Sequence, residues 1–451
     1  MFFQLENIGA IKHAEIELGK LTVLCGKNNT GKTYMTYSLY GFLSHLREKP
    51  FSRFLRSASS YFKPIFKSID KGKLYAEMKE QGVIRIDLKK AEPDLSHVMT
   101  LLSQLYTEKL KDIFSASSND FALAKFHTAN TSDVVIDYSE RFLVDTSQYE
   151  AVKPENSCVV EIKLLSMTHS SWLIDFIIDD ILFEFFLRKD FPNPFILSEE
   201  RTGIQLFQKE FQRNKGDFAN TTLRGNRRTL LEEKQPHFSL PVEKNVDFAT
   251  QSELVVKSTS FLAKEKPKLI GYIEDMLGVR YKTLDGQKVV IDKITKQVLP
   301  YYMSSTSVRA LFDLHLWLKH QAQKGDLLFL DEPELHLHPE NQIKMARLLV
   351  RLIHSGLNVF VTTRSDYLIK ELSNLLILAN DFPKKADLIK KLGYTPDEVL
   401  PAEEFRGYIV HTDGTTSPIE TDEYGRVSSG FDDAIVRVNE VSNQIISAIS
   451  H

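Results

Sequence analysis

The sequence contains little cysteine and carries little excess charge. Its 451 residues include two cysteines, Cys25 and Cys158, which are far apart and lack the spacing of a zinc site. A disulfide framework is therefore excluded, and a reducing, cytoplasmic location is expected. The formal net charge of -3 excludes a general attraction to polyanions, so contact with nucleic acid would require a local basic patch.

The sequence also lacks an uninterrupted apolar run that could span a membrane. Four carboxylates interrupt its most apolar window, WLIDFIIDDILFEFFL at 172–187: Asp175, Asp179, Asp180 and Glu184. A bilayer core would reject these charges. Four-residue spacing places three of them along one side of a helix. We therefore expect a mostly buried helix with one acidic stripe, and no membrane segment.

The N-terminal region is predicted to form strands, then a loop and a helix. Residues 1–18 alternate apolar and charged residues with a reversal near Gly9, a pattern that is typical of two strands and excludes a signal peptide. LTVLC at 21–25 predicts a buried third strand. The following helical pattern begins at Lys32 and ends at about Glu48, before a proline.

Strands and helices alternate again in the second half of the chain. DLLFLDEPE at 326–334 and LNVFVTTRS at 357–365 predict buried strands, and the segments after them predict helices at 339–353 and 366–375. Such alternation is typical of a parallel sheet with helices on its faces. The sequence therefore predicts an α/β core.

The remaining segments have weaker patterns. The part between the first helix and 189 is mostly helical, with one strand pair near 82–88, another near 158–164 and no sustained heptads. A hairpin is predicted at 279–298, because its Asp-Gly pair at 285–286 favours a tight turn. Another helix is predicted from about 307 to 324, and the tail after 392 suggests a hairpin and a closing helix.

The loop after the third strand has the pattern of a phosphate-binding loop. GKNNTGKT fits G-x-x-x-x-G-K-[ST] between a strand and a helix. The candidate binding residues are Gly26, Lys27, Asn28, Asn29, Thr30, Gly31, Lys32 and Thr33. In this geometry backbone N–H groups and the helix N-terminus surround phosphate oxygens. Lys32 would then contact the β- and γ-phosphates of ATP, and the Thr33 hydroxyl would bind Mg²⁺.

The strand at 327–331 supplies the matching acidic groups. LLFLDE is an apolar strand that ends in two carboxylates, Asp331 and Glu332. Beside a phosphate loop, Asp331 can hold Mg²⁺ through water, and Glu332 can polarise the attacking water. The predicted catalytic groups are therefore Lys32 and Glu332, and the predicted metal ligands are Thr33 and Asp331.

Two longer segments make the sequence similar to a known family. LLFLDEPELHLHPENQ at 327–342 and VFVTTRSDYL at 359–368 resemble the ATPase module of the OLD-like, SMC/RecF-related branch of ABC-type ATPases. The opening at 5–33 and FILSEERTGIQLF at 195–207 resemble segments of the same branch. The helical middle and the tail do not identify a family.

The resemblance implies an α/β, ABC-type P-loop ATPase head that is discontinuous in sequence. The head would comprise 1–48, 190–212 and 278–378. A large, mostly helical insertion would occupy 49–189, a second insertion with a basic loop 213–277, and a small α+β extension 379–451.

Family members bind ATP between the phosphate loop of one copy and a signature helix of another. The signature segment is predicted at 304–311, SSTSVRAL, where Ser305 and Ser307 would contact the γ-phosphate. The family's usual glycine is absent there. Small hydroxyl residues at a helix start can still donate to phosphate. The alternative is that they form an ordinary helix cap.

A second departure from the family lies at Arg364. The family reads Thr-Thr-His-Ser where this chain has Thr362-Thr363-Arg364-Ser365. The family histidine contacts the γ-phosphate and orients water, so we expect Arg364 to contact phosphate as a fixed cation that cannot exchange protons near neutral pH. Slow hydrolysis follows from this. The alternative is that Arg364 pairs only with a surface acid.

Two further clusters of residues have the composition of binding sites. Glu334, His336 and His338 have a spacing that would suit a metal site. The resemblance explains them instead, because DEPELHLHP matches the family's own sequence for a loop at the dimer interface. The clearest basic cluster comprises Arg213, Lys215, Arg224, Arg227 and Arg228. Because this cluster contains few aromatic residues, base stacking is disfavoured. The remaining interpretations are a solvated loop, or a site that binds a nucleic-acid backbone or an acidic partner.

The resemblance implies an ATPase subunit of a bacterial antiphage defence system, which dimerises on ATP and controls a separate effector such as a nuclease or toxin. The tail lacks the Glu and Asp-x-Asp arrangement of a TOPRIM nuclease. The alternative is a RecF/SMC-type ATPase for DNA repair or chromosome maintenance, acting directly on DNA. A transporter ATPase is disfavoured by the large middle region and the departure from the LSGGQ signature.

Replacing Lys32 with alanine should abolish ATP binding or turnover, because the ammonium that faces the β- and γ-phosphates is lost. Equilibrium binding of a fluorescent ATP analogue and phosphate release test this expectation, with Lys20→Ala, outside the motif, as the control. Parental binding and turnover in the Lys32 variant would show that the phosphate-loop assignment is wrong.

Overall fold

The computed structural model describes residues 1–47, 69–129, 136–165, 171–205, 207, 238–284, 287–427 and 440–441. Its strands are β1 Phe2–Ile8, β2 Ile11–Glu17, β3 Leu21–Cys25, β4 Val83–Asp87, β5 Lys125–Ala129, β6 Phe142–Asp145, β7 Tyr149–Lys153, β8 Val159–Leu164, β9 Pro194–Leu197, β10 Val279–Leu284, β11 Gln287–Asp292, β12 Val298–Pro300, β13 Leu327–Asp331, β14 Asn358–Thr363, β15 Phe405–Val410 and β16 Thr416–Pro418. Its α-helices are α1 Lys32–Arg47, α2 Lys71–Gln81, α3 Leu88–Ala91, α4 Leu95–Thr107, α5 Leu110–Phe114, α6 Ser171–Phe186, α7 Leu240–Thr250, α8 Ser252–Val255, α9 Phe261–Glu265, α10 Pro267–Leu277, α11 Thr306–Ala310, α12 Phe312–His320, α13 Pro339–His354, α14 Asp366–Ile377 and α15 Lys385–Lys391.

The central element is a six-stranded sheet with the order β16-β15-β3-β14-β13-β9. Every pairing in it is parallel except the one between β15 and β16. The register places Asp331 opposite Thr362 and Cys25 opposite Thr363. The carboxyl ends of β3, β13 and β14 are therefore level, which brings the loops that follow them to one edge of the sheet.

Both faces of this sheet are covered by apolar side chains. Along β13, Leu327 and Phe329 belong to one core, and Leu328 and Leu330 belong to the other. All five residues of β13 are buried, which explains the continuous apolar run in the sequence. The predicted α/β fold class is confirmed.

The C-terminal region contributes two strands to this central sheet. The predicted tail hairpin forms as β15 and β16, and β15 pairs with β3 in parallel, on the side opposite β14. The two segments approach closely, since a Cβ added at Gly26 would lie 2.6 Å from the Val410 carbonyl oxygen. Residues 405–418, which were predicted to lie in an extension, are thus neighbours of the phosphate-loop strand.

A second, antiparallel sheet joins the N-terminus to the first insertion. The predicted N-terminal strands pair as β1 and β2, and the order of this sheet is β2-β1-β5. The insertion also carries a four-stranded sheet, β4-β8-β7-β6, beside its helices. Strands form near 82–88 and 158–164, as β4 and β8. The prediction of a separate strand pair near 82–88 is wrong, because β4 pairs with β8, which is distant in sequence.

The apolar window at 172–187 forms helix α6 within the protein core. Ile178, Ile181 and Leu182 are fully buried. Its acidic residues have protein partners: Tyr75 donates to Asp175, and Arg188 forms ion pairs with Asp180 and Glu184. Within the described ranges, no helix has the length and apolarity needed to cross a membrane.

Two further predictions need comment. The strands β10 and β11 form the predicted hairpin, but its Asp-Gly turn at 285–286 lies outside the described residues, as does the basic cluster from Arg213 to Arg228. The helix predicted from about 307 to 324 is wrong in detail, because Leu311 separates α11 from α12.

Truncation after residue 400 should destabilise the protein and prevent ATP binding. The loss of β15 would turn β3 into an edge strand and would expose the apolar surface against Phe405, Tyr408 and Val410. A decrease in melting temperature on the order of 10 °C or more, or insolubility, is expected. Circular dichroism melting tests this, with truncation after residue 427 as the control; equal melting temperatures would contradict the role of β15.

Candidate nucleotide-binding site

The phosphate loop, residues 26–33, has the backbone shape that its glycines predict. Asn29 and Gly31 adopt left-handed conformations, with φ values of 60° and 101°. A side chain at Gly31 would be both strained and blocked, since its Cβ would lie 2.4 Å from Ile11 Cδ1. The loop leads directly into α1, whose first N–H groups can bind an anion.

The Lys32 side chain lies inside this loop. Its Nζ donates to the carbonyl oxygens of Gly26 and Lys27, both at 2.9 Å. Burial lowers the pKa of Lys32, and the nearby Glu332 carboxylate acts in the opposite direction. The ammonium is therefore held by uncharged oxygens at the centre of the loop.

Asp331 ends β13 at the same edge of the sheet. Thr362 Oγ1 donates to Asp331 Oδ1, whereas Asp331 Oδ2 is buried and has no hydrogen-bond partner in the described part of the chain. Burial raises the pKa of Asp331 to about 7. This carboxylate oxygen lies beside the phosphate loop, which carries the Thr33 hydroxyl. Both groups suit Mg²⁺, which prefers hard oxygen ligands.

The described residues give less support to a transition-metal site. Among the described residues, no group of three or more His, Cys, Asp or Glu side chains could hold a metal ion. Mg²⁺ typically uses one or two carboxylates together with waters and substrate phosphates, so it needs no such cluster. His338 instead caps α13, where its Nδ1 accepts from the Glu340 N–H at 3.4 Å.

Glu332 follows Asp331 with an unusual backbone conformation. Its φ of 46° is left-handed, which costs a non-glycine residue about 1–3 kcal/mol unless its surroundings impose it. The Glu332 N–H donates to the Thr362 carbonyl at 3.2 Å and to Thr362 Oγ1 at 3.1 Å. Burial raises the pKa of the Glu332 carboxyl, and Arg364 lowers it.

Arg364 connects the phosphate loop to the acidic residues that end β13. Its Nη1 donates to Asn28 Oδ1 of the phosphate loop at 2.8 Å, and its Nη2 forms an ion pair with Glu332 Oε2. The same Nη2 is 3.8 Å from Glu199 Oε1. The backbone N–H of Arg364 donates to Glu334 Oε1 at 2.7 Å. Arg364 thus pairs with an acid, and that acid is the candidate catalytic carboxylate.

These groups surround one cleft of about 300 Å³, which we call the nucleotide cleft. Its lining residues are Ala10, Asn28, Asn29, Thr30, Gly31, Lys32, Thr33, Tyr34, Glu199, Glu332 and Arg364. Ser305 and Ser307 are not among them. Within one chain, Ser305 caps α11 by accepting from the Val308 N–H at 3.4 Å, and its Oγ is 2.9 Å from Ser307 Oγ.

Sequence reasoning missed Glu199, which lines the nucleotide cleft. Glu199 lies two residues after the end of β9, and β9 pairs in parallel with β13 with Leu197 opposite Leu330, so Glu199 is at the level of Glu332. The strand-then-acid pattern in FILSE was the available signal. Gln205, in the same segment, donates to the buried Asp313 carboxylate and does not line the cleft.

The fold and the cleft define the class of protein as a P-loop ATPase. A family model of the AAA ATPase domain matches residues 1–369, so this chain belongs to the AAA ATPase domain family. No curated protein shows a significant match.

The solved structures that match this chain include SMC head domains, at low identity and low TM-score. One, an SMC head bound to the C-terminal winged-helix domain of ScpA, is 11% identical, with a TM-score of 0.34 over 93% of this chain and 96% of that chain. An Smc head with an extended coiled coil, bound to the C-terminal domain of ScpA from Pyrococcus furiosus, is 11% identical, with a TM-score of 0.31 over 98% of both chains. The SMC head domain of Thermotoga maritima is 9% identical, with a TM-score of 0.31 over 93% of this chain and 98% of that chain.

Substitutions of Arg364 should separate ATP retention from turnover. Arg364→Ala removes a cation that would contact the γ-phosphate, and a charged hydrogen bond of about 1.5–3 kcal/mol implies roughly tenfold weaker ATP binding or more. Arg364→His should raise turnover, because it frees Glu332 and supplies a group that can orient water. Binding of a fluorescent ATP analogue and steady-state phosphate release measure the two effects.

The matched control for both substitutions is Arg85→Ala. Arg85 forms an ion pair with Glu161 at 2.8 Å in the insertion sheet, and it does not line the nucleotide cleft. This control should retain parental affinity and turnover. Parental values in both Arg364 variants would mean that Arg364 does not contact nucleotide.

Proposed function

We propose that this protein binds ATP with Mg²⁺ and hydrolyses it slowly, as a switch that self-associates in the ATP-bound state. The observation that carries the proposal is the convergence of Lys32, Glu332 and Arg364 on one cleft at the carboxyl edge of the sheet. Membership of the AAA ATPase domain family supports the reaction class. The shared edge also brings the buried Asp331 carboxylate to the same place.

Each group has a role that follows from its position. The phosphate-loop N–H groups and Lys32 bind the β- and γ-phosphates. Asp331 and the Thr33 hydroxyl hold Mg²⁺, which neutralises developing charge on the phosphate oxygens when bound. Glu332 orients and polarises the attacking water, and burial raises its pKa, which makes the carboxylate a stronger proton acceptor than an exposed glutamate.

The ion pair between Arg364 and Glu332 supports slow turnover. While Arg364 holds the Glu332 carboxylate, that carboxylate is a poorer proton acceptor. A bound γ-phosphate would compete for the same guanidinium and would release Glu332. Because Arg364 would stabilise bound ATP as well as the transition state, its charge gives affinity without a matching gain in rate.

The position of the signature segment, residues 304–311, supports self-association. Ser305 and Ser307 do not reach the nucleotide cleft of their own chain, so a phosphate contact requires a second copy. Directly before this segment, Tyr302 and Met303 are 68% and 61% exposed. Exposed aromatic and methionine side chains are typical of protein interfaces.

The cellular role is proposed from the resemblance alone. OLD-like ATPases of antiphage systems accompany a separately encoded effector, so we propose that this protein restrains or releases a nuclease or toxin. The alternative is a RecF/SMC-type ATPase that acts on DNA through the basic cluster at 213–228. DNA added to the purified protein should stimulate hydrolysis under the alternative, whereas the antiphage proposal predicts a requirement for the partner.

Glu332→Gln should retain ATP but stop hydrolysis, because the amide preserves the side-chain shape and cannot accept the proton. The retained ATP should hold two copies together, and sedimentation velocity should show an ATP-dependent increase in mass. The Lys32→Ala, Glu332→Gln double variant is the control and should stay monomeric with ATP. No ATP-dependent shift in the single variant would contradict the self-association proposal.

A further inference from the structure

Arg201 is fully buried, and it connects separate parts of the site without lining the nucleotide cleft. Only 2% of the residue is exposed. Its Nη1 donates to the carbonyl oxygens of Ser198 at 2.9 Å and Asp331 at 2.6 Å. Its Nη2 donates to the Glu332 carbonyl at 2.8 Å, and its Nε to the Ala310 carbonyl at 3.1 Å. One guanidinium therefore binds the end of β9, the turn after β13 and the end of α11.

The arrangement needs an arginine for geometric reasons. A guanidinium offers five N–H donors in a rigid plane, and four of them are used here by carbonyls from three chain segments. A lysine ammonium has three donors at a single point and cannot span these positions. A buried cation also requires compensating partners, which are carbonyl oxygens here, with Asp331 and Glu334 nearby.

The contact with Glu332 acts on a strained residue. The left-handed φ of 46° at Glu332 persists only if the groups around its two peptide units impose it. Thr362 fixes the N–H side, and Arg201 fixes the carbonyl side. Without Arg201 the turn could relax, and a displacement of about 1 Å at a reacting group can cost on the order of a hundredfold in rate.

From this geometry we infer that Arg201 is a positioning residue for hydrolysis. It holds the Asp331–Glu332 turn so that the Glu332 carboxylate faces the nucleotide cleft, and it anchors the same turn to the last residue of α11, Ala310. The inference rests on the proposed hydrolysis of ATP. It assigns Arg201 no contact with nucleotide, so its loss should affect kcat and leave ATP binding largely intact.

The test compares Arg201→Gln and Arg201→Lys with the parent protein. Arg201→Gln should lower kcat on the order of a hundredfold while the Kd for a fluorescent ATP analogue changes less than about threefold. Arg201→Lys retains the charge without the planar fork and should lower kcat about tenfold. Circular dichroism establishes that the variants are folded.

The control is Arg347→Gln, which removes another partly buried arginine. Arg347 Nε donates to Glu371 at 2.6 Å between α13 and α14, away from the nucleotide cleft. It should lower thermal stability without the selective loss of kcat. Parental kcat in both Arg201 variants, an equal loss of ATP binding and kcat, or unfolding of both variants would overturn the inference. Absence of ATPase activity in the parent protein would instead refute the proposed function.

Discussion

The site depends on the level register of three parallel strands. Thr362 of β14 lies opposite Asp331 of β13 on one side and opposite Leu24 of β3 on the other. This places the phosphate loop, the acidic turn and Arg364 at one edge. A shift of one residue in either pairing would turn every side chain of that strand to the opposite core. The apolar cores on both faces of the sheet therefore also fix the geometry of the chemistry.

The charges at this edge compensate one another as a group. Asp331, Glu332, Glu334 and Glu199 form an acidic group here, and the proximity of Glu332 and Glu199 adds to the effect of burial in raising the pKa of Asp331. Three cations oppose them from different sides: Lys32, Arg201 and Arg364. Removal of one member changes the environment of all the others, so energies measured for single substitutions are not expected to add.

The sequence predicts those parts of the protein whose signal is local. The phosphate loop, the apolar strand before Asp331 and the α/β alternation are each contained in a few consecutive residues. The pairing of β15 with β3 was not predictable, because a short strand near 405 carries no information about a partner near 21. Arg201 was missed because an arginine in a polar segment usually indicates surface, and its burial depends on carbonyl groups from three distant segments.

The pairing of β15 with β3 also has a consequence for synthesis on the ribosome. The strand that presents the phosphate loop, β3, is made long before its two neighbours in the sheet, β14 and β15. Until residue 410 has emerged, β3 lacks one of its neighbours and the loop after Cys25 lacks the support of the Val410 backbone. The nascent chain therefore carries a complete phosphate-loop sequence without a finished nucleotide site, and ATP would first bind after β15 has been made.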